Sequence, residues 1–443
     1  MPPISETLTL LIKVLPLLPS FLIQSLTIRL STLYHTLTYT PTSAPKTVLV
    51  IGGSFAGLQV VRRLTQTLPT GYKVLWIEKN SHLNYCFAFP RFSVVQGFEG
   101  KAFIPYSGVE GAAVPGILER VQGSVAEIEQ GRVKFENGDV LHVDWEYLVI
   151  ATGSSSNIPV RLTSTEKEDA CAELRGVQEA IKVSQRIAVI GAGAVGVELA
   201  SDIKDFFPEK DVALVHSRSE ILNRFGKRLR DYVLTSLEEM GVKVLLNERP
   251  IVSGGAGVVR DAVLKFKDER EEMFDLVINC TGQTPNSSLL STISPSSISK
   301  STAQILAHPT LQIITPEYPS SAPSDTNTNT NPNTSTPNKT PIFALGDVAA
   351  HSGPLMARAG SMQAETVVSN ILSLIKGNEA KAVYTPNWFV EGAIKLTLGK
   401  RDMVVYARDG DGVEVLLPSR GGKVDLDVGW AWRQFGVDVM KEG

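Results

Sequence analysis

The chain has 443 residues, of which 43% are hydrophobic and 20% are charged. This length exceeds one ordinary domain and fits two to three, and the composition is sufficient for sizeable apolar cores. A formal net charge of −3 and a pI near 6.1 give no polyelectrolyte signature, so no nucleic-acid partner is expected.

Residues 1–45 form an apolar segment that contains a single acid, Glu6. Within residues 21–38, leucines recur at helical spacing and define one apolar stripe, which predicts an amphipathic helix. Upstream, Pro16 and Pro19 are expected to break any helix, and the interrupted run does not predict a membrane span. Three interpretations stay open: a peripheral membrane anchor over residues 21–38, an arginine-poor transit peptide, or a helix packed on the protein itself.

The first glycine-rich turn follows the apolar residues 48–51 and precedes a helical pattern. A buried strand, a tight turn and a helix whose free N–H groups face a pyrophosphate are typical of dinucleotide sites. The predicted cofactor-binding residues of the turn are Gly52, Gly53, Ser54, Phe55, Ala56 and Gly57. Ser54 stands where the pattern has its middle glycine, a departure that a small side chain tolerates.

A second strand, residues 73–78, follows that helix and ends in Glu78. An acid at this position accepts hydrogen bonds from the ribose hydroxyls of adenosine, and FAD carries a free 2′-hydroxyl. We therefore predict FAD at the first turn, with Glu78 and the adjacent Lys79 among the residues that bind it.

Three cysteines, Cys86, Cys171 and Cys280, lie far apart in the sequence and form no C-x-x-C or C-x₄-C pair. Disulfide reductases relay electrons through two neighbouring thiols. The sequence therefore predicts direct electron transfer from a reduced flavin to its acceptor. Cys86 is interpreted as a packed apolar residue, and the histidine spacing predicts no metal site.

A strand at residues 145–150 runs into a small-residue turn, in which Ala151, Thr152 and Gly153 are further predicted cofactor contacts. A similar strand and turn recur at residues 275–286, where Gly282 is predicted to contact a cofactor. Both segments support two nucleotide sites in one chain.

The second glycine-rich turn follows residues 187–190 and contains Gly191, Gly193 and Gly196. The matching second strand ends in His216, Ser217 and Arg218, with no acid. Arg218 is a candidate for pairing with a 2′-phosphate, so this turn is predicted to bind NADPH or NADH. A solvated surface charge is the alternative for Arg218.

Glu198 lies in the helix that follows the second turn and is the candidate catalytic residue, expected to orient the nicotinamide amide. The alternative is an exposed first-turn acid that favours the helix dipole.

Residues 316–341 are rich in Pro, Ser, Asn and Thr and are predicted to be a disordered surface insertion. After it, a strand at residues 341–345 leads to Gly346 and Asp347. The glycine permits close approach, and the carboxylate suits the ribitol of FAD. Residues 356–375 predict a helix whose dipole can stabilise a reduced flavin. From residue 384, short strands and a terminal helix at residues 428–436 predict a small C-terminal module.

The order of these motifs resembles the two-dinucleotide flavoprotein superfamily, and most closely its apoptosis-inducing-factor homologues of the ferroptosis-suppressor type, especially fungal members. The match is carried by residues 52–57, 84–91, 191–198, 346–347 and the stretch from Trp388. It implies FAD, NADH or NADPH and a quinone-like acceptor, adds Arg91 to the expected cofactor-binding residues, and implies that the C-terminal module covers the flavin or forms a dimer face.

The predicted fold class is α/β, with two Rossmann-like domains, the NAD(P) domain inserted in the FAD domain, and a small C-terminal α+β domain. The expected segments are residues 1–45 (N-terminal segment), 46–160 and 286–380 (FAD-binding), 161–285 (NAD(P)H-binding) and 381–443 (C-terminal).

The predicted function is electron transfer from NAD(P)H through FAD to a quinone-like acceptor, in a protein that is cytoplasmic or mitochondrial, peripherally membrane-associated and not secreted. Two alternatives stay open. One is an oxidoreductase specific for a single biosynthetic metabolite, and the other is a redox-sensing flavoprotein with little turnover.

Overall fold

The computed structural model describes residues 4–255, 257–315 and 340–439. Its α-helices are Ile4–Val14, Leu18–Thr38, Phe55–Thr65, Phe89–Phe92, Ser107–Ala112, Lys167–Val183, Ala194–Phe206, Lys227–Met240, Ala357–Ile375, Trp388–Glu391 and Val428–Gln434. Short 3₁₀ turns are Leu15–Leu17, Cys86–Ala88, Glu99–Ala102, Ser288–Leu290, Pro295–Ser297 and Gly346–Val348.

A five-stranded parallel sheet, here called the first sheet, organises the first nucleotide-binding unit. In spatial order its strands are Ile342–Ala344, Trp145–Ile150, Lys46–Ile51, Tyr72–Glu78 and Leu118–Gln122. Val48 and Val50 face one apolar cluster, whereas Leu49 and Ile51 face another. Because both faces are covered, residues 48–51 of the central strand are all apolar, as in other parallel sheets.

A six-stranded sheet, here called the second sheet, organises the second nucleotide-binding unit. Its spatial order is Lys243–Leu245, Asp211–Val215, Arg186–Ile190, Glu271–Asn279, Val258–Lys265 and Ile251–Val252. The first four strands pair in parallel, and the last two pair antiparallel. The two parallel cores confirm the predicted α/β class, whereas the exact domain boundaries stay a prediction.

Smaller sheets connect these units and complete the molecule. The chain enters and leaves the second unit side by side, because Ser154–Ser155 pairs with Thr284–Pro285. The C-terminal sheet is antiparallel and consists of Ile394–Leu398, Asp402–Arg408 and Glu414–Arg420. The remaining small sheets join Val125–Glu129, Arg132–Phe135 and Val140–His142; His82–Asn84 and Phe103–Pro105; and Ile305–Leu306 and Ala349–Ala350.

The C-terminal module packs on both nucleotide-binding units. Leu396 and Leu398 join the apolar cluster of the second unit. Trp432, in the helix Val428–Gln434, is fully buried and donates its indole N–H to the Lys101 carbonyl of the first unit at 2.9 Å. The module therefore contacts both units.

The N-terminal segment is helical across the two prolines that we expected to break it. Pro16 lies in the 3₁₀ turn Leu15–Leu17, and Pro19 lies in the first turn of Leu18–Thr38. The prediction of a break is wrong, because the first turn of a helix tolerates proline, whose missing N–H would have no partner there.

Among the described residues, one helical stretch, Glu6–Thr38, is long and apolar enough by composition to cross a membrane, with a mean hydropathy of 1.7. The leucines of the predicted stripe are exposed by 58–77% (Leu22, Leu26, Leu30, Leu33 and Leu37). Most of the predicted disordered insertion, residues 316–339, lies outside the described residues.

Candidate dinucleotide and electron-transfer site

Both glycine-rich turns lie where a central parallel strand ends and a helix begins. Gly52 and Gly191 adopt positive φ angles of 104° and 109°, a conformation that favours glycine. The Gly52 N–H donates to the Ile77 carbonyl at 2.9 Å, and the Gly191 N–H donates to the Val215 carbonyl at 2.8 Å. Each turn is thereby fixed to the neighbouring strand of its own sheet.

The third glycine of each turn allows the following helix to approach the strand. A Cβ on Gly57 would lie 2.0 Å from the Gly52 carbonyl oxygen, and a Cβ on Gly196 would lie 1.8 Å from the Gly191 oxygen. Side chains cannot be accommodated at either position. By contrast, Gly193 faces open space, with nothing within 4 Å of an added Cβ, which leaves room for a pyrophosphate over the helix N-terminus.

Glu78 closes the first turn at the end of the strand Tyr72–Glu78. Its Oε2 accepts from the Gly53 N–H, and its Oε1 accepts from the backbone N–H and the side-chain amide of Asn80 at 2.9 and 2.7 Å. The carboxyl group is buried, and burial raises its pKa. The side chain therefore fixes the first glycine turn to the end of the second strand, and its contact with an adenosine ribose stays a prediction. The neighbouring Lys79 is exposed.

Strands Trp145–Ile150 and Ile342–Ala344 are paired, so the turns that follow them lie side by side. Both turns contain residues predicted to contact FAD. Asp347 accepts at 3.3 Å from the Ser154 hydroxyl and at 3.4 Å from the Gln283 amide. Gly346, with φ of 73°, donates its N–H to the side-chain carbonyl of Gln363 at 2.7 Å. These long contacts leave the Asp347 carboxylate able to accept further hydrogen bonds, and its contact with the ribitol of FAD stays a prediction.

The turns after residues 150 and 279 face each other across the entrance to the second unit. Ala151 is buried, and the Thr152 hydroxyl donates to the Asn286 carbonyl at 2.7 Å. Gly153 and Gly282 both adopt positive φ, and both face open space. The two turns predicted to contact cofactors thus lie against each other where the chain enters and leaves the second unit.

Helix Ala357–Ile375 begins beside the first glycine turn. A Cβ on Gly360 would lie 2.9 Å from the Ala56 Cβ, and one on Gly346 would lie 3.3 Å from the same atom. The N-terminal turn of this 19-residue helix therefore packs beside residues 52–57, and the action of its dipole on a flavin stays a prediction.

Glu198 is half-buried between the second unit and the C-terminal sheet. Its Oε1 accepts from the Thr397 N–H at 3.0 Å and from the Thr397 hydroxyl at 3.2 Å. Burial raises the pKa of Glu198 to about 8, although the Thr397 hydrogen bonds lower it, and the nearby Asp202 charge adds to the rise. The alternative of an exposed first-turn acid is therefore wrong.

Cys86, at the start of the turn Cys86–Ala88, lies within electrostatic range of Glu198 and Asp347. The charges of both carboxylates act on the Cys86 thiol, whose pKa is raised mainly by burial. Glu198 belongs to the second unit, Asp347 to the 3₁₀ turn Gly346–Val348 and Cys86 to the turn Cys86–Ala88, so the fold brings together segments more than 100 positions apart in the chain.

Arg91 has a role in the structure that the sequence did not indicate. Its Nε donates to Asp202 at 2.8 Å, and its Nη2 donates to the Gly399 carbonyl at 2.6 Å, all within a buried environment. Burial raises the pKa of Asp202 to about 6, while Arg91 lowers it. Arg91 thus links the first unit to the second unit and the C-terminal sheet. Its third guanidinium nitrogen, Nη1, has no hydrogen-bond partner among the described residues.

The residues that sequence reasoning missed are Asp202, Thr397 and Gln363. Asp202 stands four positions after Glu198 and therefore on the same helix face, a spacing that was available as a signal. Thr397 lies 199 positions from Glu198, and no local pattern indicates such a contact.

Arg218 lies beyond the end of the strand Asp211–Val215 and is exposed. Its carbonyl accepts from the Asn247 N–H at 3.0 Å, which fixes the backbone at this position. His216, two positions earlier, contacts the second glycine turn, because its Nδ1 accepts from the Ala192 N–H at 3.2 Å.

Comparisons with known proteins agree with this geometry. Residues 46–315 match the pyridine nucleotide-disulphide oxidoreductase family. Fe-regulated protein 8 of Mycosarcoma maydis is 33% identical over 421 residues, which cover 89% of this chain and 96% of that protein. Ferroptosis suppressor protein 1 of Taeniopygia guttata is 28% identical, covering 88% of this chain and 95% of the relative.

Solved structures share the fold at low sequence identity. The sulfide:quinone oxidoreductase of Aquifex aeolicus has a TM-score of 0.62 at 15% identity, covering 88% of this chain and 90% of its own. The water-forming NADH oxidase of Lactobacillus brevis, bound to NADH, has a TM-score of 0.60 at 18% identity, covering 82% and 75%. With FAD and NADH or NADPH as its cofactors, this chain belongs to the pyridine nucleotide-disulphide oxidoreductase family, among its apoptosis-inducing-factor-like members.

Proposed function

We propose that the protein is an NAD(P)H:quinone-type oxidoreductase that operates without a redox disulfide. The net reaction converts NAD(P)H, one proton and a quinone into NAD(P)⁺ and a quinol, so two electrons leave the nicotinamide and both enter the quinone. Bound FAD supplies the redox centre that accepts two electrons from the nicotinamide and passes them to the acceptor.

The state of the cysteines is the observation that carries this proposal. All three cysteines are free. Burial raises the pKa of Cys86, and it raises the pKa of Cys280 to about 12. Thiolates are the reactive form in disulfide exchange, so neither thiol is suited to relay electrons at neutral pH. A small acceptor that takes electrons directly fits these residues better than a disulfide substrate.

The residues of this chain then act by binding and positioning. Residues 52–57, Glu78 and Asp347 hold FAD along the first unit, and the turn at residues 191–196 holds the nicotinamide nucleotide. Glu198 contacts the carboxamide and holds a proton on its carboxyl group at neutral pH. A quinone acceptor is also named in the description of the structurally similar Aquifex protein.

The test uses purified full-length protein loaded with FAD. We expect NADH- and NADPH-dependent reduction of menadione and of a short-chain ubiquinone, with little reduction of oxidised glutathione. A variant carrying both Cys86→Ser and Cys280→Ser should retain quinone reduction, since no thiol takes part. Rapid glutathione reduction without quinone reduction would overturn the proposal.

We further propose that the N-terminal segment places the protein on a membrane surface. The segment is fixed to the body at both ends. Near its start, Glu6 pairs with Arg228 at 2.5 Å; near its end, the buried His35 ring is 2.8 Å from the Leu68 carbonyl. The leucines of the stripe stay exposed, and each one would contribute about 1.5–3 kcal/mol if fully buried in a membrane.

Membrane binding is tested with full-length protein and liposomes of zwitterionic lipid. The wild-type protein should pellet with liposomes and be released by mild detergent, whereas Leu26→Gln with Leu30→Gln should stay in the supernatant with its FAD bound. A chain that starts near Pro45 should be soluble and still reduce short-chain quinones. If the substituted protein still pellets, or the shortened one loses FAD, the stripe is not a membrane anchor.

A further inference from the structure

A cavity lies beside the edge strand Ile342–Ala344 of the first sheet, and none of the predicted cofactor contacts lines it. It is lined by residues from the segments 304–311 and 350–352 and by Tyr384, and it is here called the edge cavity. Its volume is about 380 Å³. Pockets that bind small molecules have volumes of about 300–1,000 Å³, so the edge cavity is large enough for a ligand.

Backbone hydrogen bonds hold the walls of the edge cavity in place. The strand Ile305–Leu306 pairs with Ala349–Ala350, and the Pro309 carbonyl accepts from the Tyr384 N–H at 2.9 Å. The Tyr384 side chain is buried, and its hydroxyl donates to the Glu391 carboxylate. Because the hydroxyl is already paired, Tyr384 mainly offers a ligand the surface of its ring.

His308 supplies the unused hydrogen-bonding groups of the edge cavity. Its backbone N–H donates to the Gln312 carbonyl at 2.8 Å, whereas its ring makes no hydrogen bond within the described part of the chain. Burial lowers the pKa of His308, so the ring is uncharged at neutral pH. A neutral imidazole has one N–H donor and one acceptor nitrogen, and both are available to a ligand.

His351 and Gln304 connect the edge cavity to the turn that was predicted to contact FAD. His351 Nδ1 accepts from the Gly353 N–H at 3.1 Å. Burial lowers the pKa of His351, whereas the Asp347 charge and the backbone of Gly346 raise it. The Gln304 amide donates to the Asp347 carbonyl at 3.5 Å. The edge cavity therefore adjoins the turn that carries Gly346 and Asp347.

The chemistry of the lining residues favours an uncharged ligand. Among the residues that the structure describes, no Asp, Glu, Lys or Arg lines the edge cavity. A charged ligand would lose hydration there without gaining a counter-charge. Ala307, Leu311 and Ala350 supply apolar contacts, Tyr384 supplies an aromatic ring, and His308 supplies a hydrogen-bond donor. This combination suits a flat, apolar ring that carries a hydrogen-bond acceptor.

We propose that the edge cavity is a binding site for an uncharged, planar ring compound with a carbonyl group, which accepts a hydrogen bond from His308 and packs against Tyr384. The site is separate from both glycine turns, and it does not depend on the proposed function. A ligand bound here would lie beside the turn that carries Gly346 and Asp347.

The test measures binding by calorimetry to full-length, FAD-loaded protein without NADH or NADPH, so that no turnover takes place. It compares three probes of two fused rings: coumarin, which is uncharged and has a ring carbonyl, the anion coumarin-3-carboxylate, and the cation N-methylquinolinium. Coumarin should bind about tenfold or more tightly than either charged probe, because only the charged probes lose strong hydration without compensation.

Two variants locate the bound probe. Ala307→Trp fills the edge cavity and should weaken coumarin binding about tenfold or more, whereas Ala112→Trp, at an exposed position, should bind as wild type. His308→Leu removes both ring nitrogens and should weaken coumarin binding about 3- to 10-fold, whereas His142→Leu, also at an exposed position, should not. Flavin content shows that each variant is folded, and His308→Leu decides if Ala307→Trp is not.

Wild-type affinity for coumarin in both Ala307→Trp and His308→Leu would overturn the inference, because the probe would then bind elsewhere. Equal affinity for coumarin and its carboxylate would also overturn it, as would wild-type protein that binds none of the probes up to their solubility limits. Loss of quinone reduction with normal coumarin binding would overturn the proposed function and leave the edge-cavity site standing.

Discussion

Glu198→Gln is expected to remove the alkaline decline in kcat/KM for NADH. In the structure, Oε1 of Glu198 is held by Thr397, and Oε2 has no hydrogen bond among the described residues. When protonated, the carboxyl group can donate from Oε2 to the carbonyl oxygen of a carboxamide. When ionised, it can only accept. Binding of the nicotinamide should therefore require the protonated form.

The size of the effect follows from the pKa of about 8. About nine-tenths of the carboxyl groups are protonated at pH 7 and about one-tenth at pH 9, so kcat/KM should fall about tenfold for each pH unit above 8. Glutamine keeps the acceptor for Thr397 and a permanent donor toward the ligand. The variant should match wild type at pH 7 and stay flat to pH 9.

The pH dependence of the unfolding free energy gives a second measurement of the protonation of Glu198. The unfolded glutamate ionises near pH 4.5 and the folded one near pH 8, so the folded state binds the extra proton between these values. The contribution of this group to stability is therefore present at low pH, falls as pH rises from about 4.5 to 8, and is constant above it. Urea titrations should show this slope in wild type and its loss in Glu198→Gln.

Steady-state rates with NADH and menadione between pH 6 and 9.5 provide the assay, with Glu238→Gln as the control. Glu238 lies exposed in the helix Lys227–Met240 of the same unit, and its variant should retain the wild-type profile. If Glu198→Gln shows the same alkaline decline as wild type, another group titrates and the assignment of the proton to Glu198 is wrong.

Three further substitutions test the packing of the site. Gly57→Ala would force a Cβ to 2.0 Å from the Gly52 oxygen, so the purified variant should lack FAD absorbance. The control Gly176→Ala has open space at its Cβ and should raise the unfolding free energy by about 0.5–1 kcal/mol. Equal flavin content in the two variants would contradict the turn geometry. Asp347→Ala should yield protein without the flavin spectrum that still binds 5′-ADP, and retention of stoichiometric FAD would exclude the ribitol role. Asp202→Ala leaves the Arg91 guanidinium buried without its carboxylate and should lower the unfolding free energy by about 3–5 kcal/mol; a loss below 1 kcal/mol in denaturant titrations would show that solvent reaches the pair.

The features that could be predicted from the sequence are those that depend on neighbours along the chain. The turns at Gly52 and Gly191 need a positive φ and a close helix, and both requirements appear as glycines at short spacing. Glu78 was predictable because it ends the strand that follows the helix of the first glycine turn. The fold class followed, since two such units require two parallel sheets.

The features that sequence reasoning missed join distant segments. Arg91 was assigned to the cofactor, yet its guanidinium pairs with Asp202, 111 positions away. Thr397 positions Glu198 from another module, and no periodicity encodes that approach. The prolines of the N-terminal segment were misjudged because their effect depends on the turn of the helix in which they fall.

The strand order of the first sheet has a consequence for how the chain folds during synthesis. Strand Ile342–Ala344 pairs with Trp145–Ile150, so the sheet that carries the first glycine turn stays incomplete at one edge until residue 344 has left the ribosome. The second sheet, whose strands all lie between residues 186 and 279, can close earlier from contacts that are nearer in sequence. We therefore expect the second unit to fold first on the nascent chain, with the open edge of the first sheet exposed to chaperones and to other nascent chains in the interval.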